Sequence, residues 1–154
     1  MSASFGAARA DELPQLVELL RVLFTQEAEL APDADKQMRA LRLILGDAAI
    51  GRIYVARGAV GGKDKVLGMV SIMHTVSTAE GGPAGHLEDF VVRPDCRSKG
   101  LGARLLAYAI ERSRADGLLR LILLTDGDNV EAQRIYERAG FARSGMLPMR
   151  LKLR

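Results

Sequence analysis

The sequence predicts an α/β fold in which helices cover a mixed sheet. Segments with alternating or continuous apolar residues interleave with segments whose apolar residues recur every three or four positions. Glycine and proline clusters separate these segments. The predicted order is strand, two helices, three strands, helix, strand, helix, strand, which is typical of a sheet covered by helices. A chain of 154 residues, 48% hydrophobic and 27% charged, suits one compact domain, expected over residues 1–154.

The first half of the chain predicts three strands and two helices before the glycine-rich turn at 78–85. A short strand is expected at 5–9. Apolar residues at helical spacing then predict a helix over 13–24 and a second over 35–45, separated by the helix-breaking Ala31-Pro32-Asp33. Two further strands are expected at 53–56 and 66–73, joined through the glycine-rich segment 58–64.

The second half predicts strands alternating with helices. A strand over 86–92 leads to an amphipathic helix over 100–115, which Gly117 ends. The segment 118–125 is nearly all apolar, as expected for a strand covered on both faces. A short helix over 130–139 ends at Gly140, a residue suited to a left-handed cap. A final strand is expected at 146–153.

Composition restricts the function classes. No apolar run approaches the ~20 residues of a membrane span, and residues 1–10 do not resemble a secretory signal. Cys96 is the only cysteine, so no internal disulfide and no thiolate metal cluster can form. We therefore expect a cytoplasmic protein without a metal. His74 and His86 lie on predicted strands without a visible partner, and we interpret them as structural.

The charges are distributed unevenly along the chain. Residues 93–154 hold 13 basic and seven acidic side chains, whereas residues 1–50 hold five basic and eight acidic ones. The basic part could attract an anionic cofactor and the acidic part a cationic substrate, although solvated helix faces explain the same counts. The basic residues are scattered and have no aromatic residues between them, so we expect no nucleic-acid partner.

The segment around Arg97-x-x-Gly100-x-Gly102 carries the strongest functional signal. It lies across a turn and the start of the 100–115 helix, where several backbone N–H groups have no partner inside the helix and the helix dipole is positive. Glycine permits close approach of a phosphate to the backbone. With the basic residues Arg97, Lys99 and Arg104 nearby, this arrangement predicts a diphosphate site. The spacing matches neither a P-loop nor a Rossmann turn.

Two motifs resemble the GNAT superfamily of N-acetyltransferases. The first segment resembles motif A, Gln/Arg-x-x-Gly-x-Gly/Ala after a strand ending in valine. The segment from Asn129 through Tyr136 to Gly140-Phe141 resembles motif B, at the usual separation. Cys96 and Ser98 replace residues that are often aromatic and glycine in the family. Neither change removes a backbone donor.

The resemblance implies a GNAT fold, with six to seven strands flanked by about four helices and a sheet that splays between the strands at 86–92 and 118–125. It also implies acetyl-CoA as cosubstrate and no metal. The pantetheine arm would pair with the backbone of Phe90, Val91 and Val92. The pyrophosphate would bind at the helix start, to Arg97, Ser98, Lys99, Gly100, Leu101, Gly102 and Ala103. Asn129 and Ala132 would line the far side of the cofactor.

The resemblance also suggests the catalytic residues. Glu88 and Asp89 are adjacent on a strand, so only one can face the substrate. Similarity to polyamine acetyltransferases that read Leu-Glu-Asp-Phe favours Glu88 as base, directly or through water. Tyr136 is expected to be the general acid to the CoA sulfur, because a neutral phenol can donate a hydrogen bond. Cys96 is interpreted as non-catalytic.

Two functions follow from these features. The first is transfer of acetyl to a primary amine by direct attack in a ternary complex. Glu27 and Glu88 would bind the acceptor, a di- or polyamine or a protein N-terminus, and Glu29, Asp33 and Asp35 add negative charge nearby. The alternative is a non-catalytic acyl-CoA-binding or interaction module. The alternating segment Met-Arg-Leu-Lys-Leu-Arg at 149–154 could pair with a second subunit to form a homodimer.

Overall fold

A computed structural model of the protein describes residues 2–27 and 29–154. Within these residues, one sheet of five strands is formed and four α-helices accompany it. The strands are β1 (Ser4–Ala7), β2 (Gly51–Val60), β3 (Lys63–Ser77), β4 (Gly82–Val92) and β5 (Leu121–Leu123). The helices are α1 (Leu13–Gln26), α2 (Ala34–Gly46), α3 (Leu101–Ala115) and α4 (Val130–Arg138).

The strand order in the sheet is the order along the chain, from β1 to β5. The first four strands pair antiparallel, and β4 pairs parallel with β5, so the sheet is mixed as predicted. Pairing between β4 and β5 stops at Leu87 and Leu123. Beyond that point the two strands separate, which confirms the splayed sheet.

Two hydrophobic clusters cover the two faces of the sheet. On one face α3 packs through Leu105, Leu106 and Ala109 against Val70 and other residues of the sheet. On the other face α1 and α2 pack over residues from β2, β3 and β4. Neighbouring residues of β3, such as Met69 and Val70, belong to different clusters, because neighbouring side chains of a strand point to opposite faces. Among the described residues, none of the helices is long and apolar enough to cross a membrane.

The predicted elements need three corrections. No strand forms at 146–153, so the described residues contain five strands and not six or seven. The strand at 118–125 is reduced to three residues, because it has a ladder partner only on the β4 side and only through Leu123. The hairpin turn predicted at 58–64 is limited to Gly61 and Gly62, since β2 and β3 pair to within one residue of them.

One buried ion pair ties the start of α1 to the sheet. Arg57 donates to both carboxylate oxygens of Glu12, over 2.7 and 2.8 Å, and the Arg9 N–H donates a further bond of 2.8 Å. The Glu12 side chain is only 5% exposed. Burial alone would raise the pKa of Glu12, but these hydrogen bonds and charges outweigh it and lower the pKa.

Replacing Glu12 with glutamine is expected to lower the free energy of unfolding by on the order of 3 kcal/mol, because the Arg57 charge stays buried without its partner. Because the pKa of Glu12 is lower in the folded state, the charged carboxylate stabilises the fold at pH values above its unfolded-state pKa. This stabilisation is lost as pH falls through the folded-state pKa. Urea unfolding as a function of pH measures both effects. The exposed pair Glu18–Arg21 is the control, and Glu18→Gln should change stability by less than about 0.5 kcal/mol.

Candidate functional site

The separation of β4 and β5 opens a cleft of about 720 Å³. Residues 87–92 of β4 line one wall, and residues 124–126 beyond β5 line the opposite wall. Residues from the end of α1, the start of α3 and α4 complete the lining. The cleft is therefore the gap that opens at the carboxyl ends of the parallel strands β4 and β5, where their pairing stops.

A β-bulge in β4 lies on the wall of this cleft. Met69 pairs with Val91 and Ser71 with Glu88, so the single residue Val70 lies opposite two residues of β4. One of these two, Asp89, has φ +52°, a left-handed conformation that aspartate tolerates better than bulky residues. The bulge changes the strict alternation of β4, so the spacing rule for a regular strand no longer decides which of Glu88 and Asp89 faces the cleft. Both line it.

The start of α3 forms one end of the cleft. Its N-cap is Gly100, with φ +75°, a residue without a side chain to accept the first N–H groups of the helix. An ideal Cβ on Gly102 would lie 3.4 Å from Cζ of Phe90, at ordinary van der Waals contact, so the helix start lies close to β4. Without a side chain, Gly102 leaves the amides of the first turn open to the cleft. Open amides, a helix N-terminus and the absence of side chains fit a diphosphate group.

Most of the residues predicted to bind the cofactor line this cleft. Lys99 is not among the lining residues. Arg97 donates from Nε to the carbonyl of Val92 over 3.1 Å, which fixes the turn between β4 and α3. The lining residues are Phe90, Val91, Val92, Arg97, Ser98, Gly100, Leu101, Gly102, Ala103, Asn129 and Ala132. The side chain of Asn129 caps α4 by accepting from the Ala132 N–H over 3.2 Å.

Acidic side chains also line the cleft. Glu27 follows α1 directly and is half-buried. Burial raises the pKa of Glu27, and the nearby Asp126 carboxylate raises it further. Burial, followed by the charges of Glu88 and Glu27, raises the pKa of Asp89 to about 6. These carboxylates therefore disfavour one another's negative charge, and a bound cation would relieve that repulsion.

Tyr136 lines the cleft and packs between two aromatic rings. Its ring is 5.9 Å from the ring of Phe90 and 5.9 Å from that of Phe141, between centroids. Burial, with a smaller contribution from Glu27, raises the pKa of Tyr136 to about 12. The phenol therefore keeps its proton at neutral pH and can donate a hydrogen bond into the cleft.

Three acidic residues of the cleft do not follow from the sequence reasoning. The alternation of a regular strand would keep Asp89 out of a cleft that Glu88 faces, and the bulge is not visible in the sequence. The other two are Glu131, in the first turn of α4, and Asp126. The position of Asp126 does indicate a role in the cleft. It is the first charged residue after the apolar segment that follows Arg120. In open parallel sheets, this end of a strand faces the ligand cleft. No group of three or more potential metal ligands occurs in the part of the chain that the structure describes.

Comparison with known families agrees with this geometry. The model of the acetyltransferase (GNAT) family matches residues 13–141, which include the cleft walls, the α3 turn and α4. This chain belongs to the GNAT acetyltransferase family. Membership in the family explains why the gap between two parallel strands and the open start of α3 occur in the same site. Motifs A and B had indicated this family.

Curated GNAT relatives differ in what they acetylate. The aminoglycoside N(6')-acetyltransferase type 1 of Stenotrophomonas maltophilia is 31% identical over 113 residues, 73% of this chain and 72% of the relative. The glucosamine 6-phosphate N-acetyltransferase of Trypanosoma brucei brucei is 37% identical over 90 residues, 58% of each chain. An L-methionine sulfoximine/L-methionine sulfone acetyltransferase of Pseudomonas aeruginosa is 42% identical over 57 residues, 37% of this chain. The match spans only a third of the length of the Pseudomonas relative, 33%.

Solved structures share the fold over nearly the whole chain. An integron cassette protein from the mobile metagenome of Cole Harbour Salt Marsh superposes with a TM-score of 0.81 at 31% identity, over 97% of this chain and 90% of that one. A predicted acetyltransferase from Clostridium acetobutylicum, solved with acetyl-CoA, has a TM-score of 0.76 at 13% identity, over 99% of this chain and 97% of that one. The second similarity concerns the fold alone.

Proposed function

We propose that this protein transfers an acetyl group from acetyl-CoA to a primary amine, by direct attack in a ternary complex. The observation that carries the proposal is a single cleft lined both by open backbone amides at the start of α3 and by the carboxylates of Glu27, Asp89 and Asp126. The amides suit an anionic diphosphate, and the carboxylates suit a cationic ammonium. Family membership and relatives that acetylate amino groups support the same reaction class.

The residues at the α3 end fit acetyl-CoA as cosubstrate. Amides from Ser98 to Ala103 would hold the diphosphate, and the unpaired edge of β4 at Phe90 would accept the amide-bearing pantetheine arm as an added strand. When bound, acetyl-CoA supplies an acetyl thioester as the acyl donor. An N–H on the same edge of β4 would donate a hydrogen bond to the acyl oxygen, as donors in an oxyanion hole do.

The carboxylates of the cleft favour a small cationic amine, such as a di- or polyamine. Glu27, Asp89 and Asp126 come from three different segments. Burial raises the pKa of Glu27 and of Asp89, and neighbouring negative charges raise both further. An ammonium between them would replace this repulsion with charge-assisted hydrogen bonds. A protein N-terminus carries the same ammonium group and belongs to the panel that tests the proposal.

The reaction requires the ammonium to lose one proton before its nitrogen attacks. Glu88 is exposed at the mouth of the cleft, so we propose that it takes this proton through water and passes it to solvent. The nitrogen then forms the new C–N bond as the C–S bond breaks. Tyr136 would donate its proton to the departing thiolate, because its phenol is still protonated at neutral pH. The nitrogen loses a second proton as the amide forms, and this proton would return through water to Tyr136, which restores the phenol.

Release of free thiol from acetyl-CoA in the presence of an amine panel tests the function. The panel contains diamines, polyamines, aminoglycosides, glucosamine 6-phosphate and a peptide with a free N-terminus. We expect turnover with at least one amine and preference for those with two or more positive charges. Cofactor binding without turnover on any amine would contradict the proposal and favour the non-catalytic acyl-CoA-binding module.

Replacing Glu27 with glutamine is expected to raise KM for the preferred cationic amine about tenfold, because one charge-assisted hydrogen bond to the ammonium is lost. The value of kcat should change much less, since Glu27 takes no proton in the proposed reaction. Steady-state kinetics with varied amine measures both constants. Glu80→Gln, a matched change in the turn before β4, should leave them unchanged. A drop in kcat alone would contradict the binding role.

Asp89 should make amine binding depend on pH. Its pKa of about 6 means that the carboxylate is charged above that pH and increasingly neutral below it. We therefore expect KM for the amine to rise about tenfold as pH falls through this value, because the neutral acid no longer attracts the ammonium. Asp89→Asn should show the high KM at every pH, whereas the matched Asp64→Asn on the β2–β3 hairpin should keep the wild-type profile. A wild-type profile in Asp89→Asn would exclude this role.

A further inference from the structure

Two large apolar side chains of the cleft are open to solvent. Leu30, in the segment between α1 and α2, and Leu124, directly after β5, line the cleft and are 43% and 65% exposed. Among residues 2–27 and 29–154, neither leucine packs into the two hydrophobic clusters that cover the sheet. Exposed apolar side chains in a concave site mark a surface that a ligand covers.

Both leucines lie beside carboxylates of the cleft. The Leu30 N–H donates to the backbone carbonyl of Glu27 over 3.5 Å, which keeps Leu30 next to that residue. Leu124 lies two residues before Asp126. The side chains of Glu27 and Asp126 in turn interact with each other. The two leucines therefore flank one pair of interacting carboxylates.

The last turn of α1 extends this apolar surface. Leu23 and Phe24 lie four and three residues before Glu27, so all three belong to one side of the helix end. Both line the cleft and are half-buried. They also pack against the hydrophobic cluster beneath α1, which fixes their position. The wall that leads to Glu27 is therefore apolar and held by the core.

We propose that the acceptor carries a hydrocarbon segment next to its amino group, as an alkane diamine does. Its ammonium would lie at Glu27 and Asp126, and its methylene groups would cover Leu30 and Leu124. This inference rests on the proposed function and narrows its substrate class. None of these four residues is among those assigned to the cofactor.

The same surface disfavours acceptors with hydroxyl groups next to the amine. An aminoglycoside or an amino sugar would bring such hydroxyl groups against the leucines, where they would lose hydrogen bonds to water without replacing them. Methylene groups lose no hydrogen bond there and gain from leaving water. Among cationic amines, the cleft therefore favours those with an unsubstituted carbon chain.

A series of alkane diamines from propane diamine to hexane diamine tests the inference. All members carry the same two ammonium groups, so only the hydrocarbon changes. We expect kcat/KM to rise about threefold with each added methylene group, as its burial predicts. Octane diamine should exceed, by about tenfold, the same chain with two methylene groups replaced by ether oxygens. Equal constants along the series, or for the ether pair, would overturn the proposal.

A variant of the leucine after β5 locates the effect. Leu124→Asn should lower kcat/KM for octane diamine about tenfold more than for propane diamine, because only the longer chain reaches the leucines. Leu43→Asn is the matched control, since Leu43 lies on α2 outside the cleft and is also 65% exposed. It should leave both constants unchanged, and circular dichroism should show both variants folded.

The outcomes separate this inference from the proposed function. A chain-length dependence that persists in Leu124→Asn, or a change confined to KM for acetyl-CoA, would contradict the acceptor role of Leu124. Turnover without any dependence on chain length would overturn the inference and leave the proposed function standing. Absence of turnover with every amine would overturn both.

Discussion

Replacing Gly102 with glutamate is expected to weaken acetyl-CoA binding at least about 100-fold, or roughly 3 kcal/mol. Gly102 lies in the first turn of α3, 3.4 Å from the Phe90 ring measured from an ideal Cβ. A carboxylate there would occupy the space over the open amides and repel the diphosphate through its charge. Isothermal titration with CoA measures the affinity directly and needs no acceptor amine.

The matched control for this substitution lies on the same helix. Ala107 is exposed on α3, one turn beyond the open amides, and does not line the cleft, so Ala107→Glu adds the same charge without entering it. We expect it to leave CoA affinity within about twofold, since an exposed charge at that distance is screened by solvent. Equal loss of affinity in both variants would contradict a diphosphate site at the start of α3.

Replacing Tyr136 with phenylalanine is expected to lower kcat about 100-fold, the contribution that a positioned general acid typically makes. The ring would keep its packing against Phe90 and Phe141, so CoA affinity should stay close to that of the wild type. Steady-state kinetics and calorimetry on the same preparation separate the two quantities. The pKa of Tyr136, about 12, also predicts that its proton remains available up to mildly alkaline pH.

Tyr108 provides the matched control for Tyr136. It packs between Phe5 and Tyr54 on the α3 side of the sheet, with ring centroids 5.8 and 5.6 Å away, and does not line the cleft. Tyr108→Phe should leave kcat unchanged. If Tyr136→Phe lowered CoA affinity as strongly as kcat, the tyrosine would be a packing residue and not the acid.

The sequence alone predicted the parts of this protein that depend on local rules. Helical spacing of apolar residues placed α1 and α3 within two residues of their observed bounds at each end, because amphipathic periodicity follows from the geometry of a single element. The positive φ of Gly140, which ends α4, follows from the same local reasoning. The two motifs also predicted the GNAT fold, which the family match confirms, whereas the diphosphate site at the start of α3 stays a prediction. That residues 1–154 form a single domain stays a prediction.

Tertiary structure decided which side chains share the cleft. A bulge opposite Val70 brought Asp89 into it beside Glu88, against the alternation expected of a regular strand. Asp126 and Glu27 come together from segments about 100 residues apart, a proximity that arises only when β5 and α1 take their places around β4. The missing strand at 146–153 has the same cause, because a strand needs a partner edge, and the spacing of apolar residues does not determine where that edge lies.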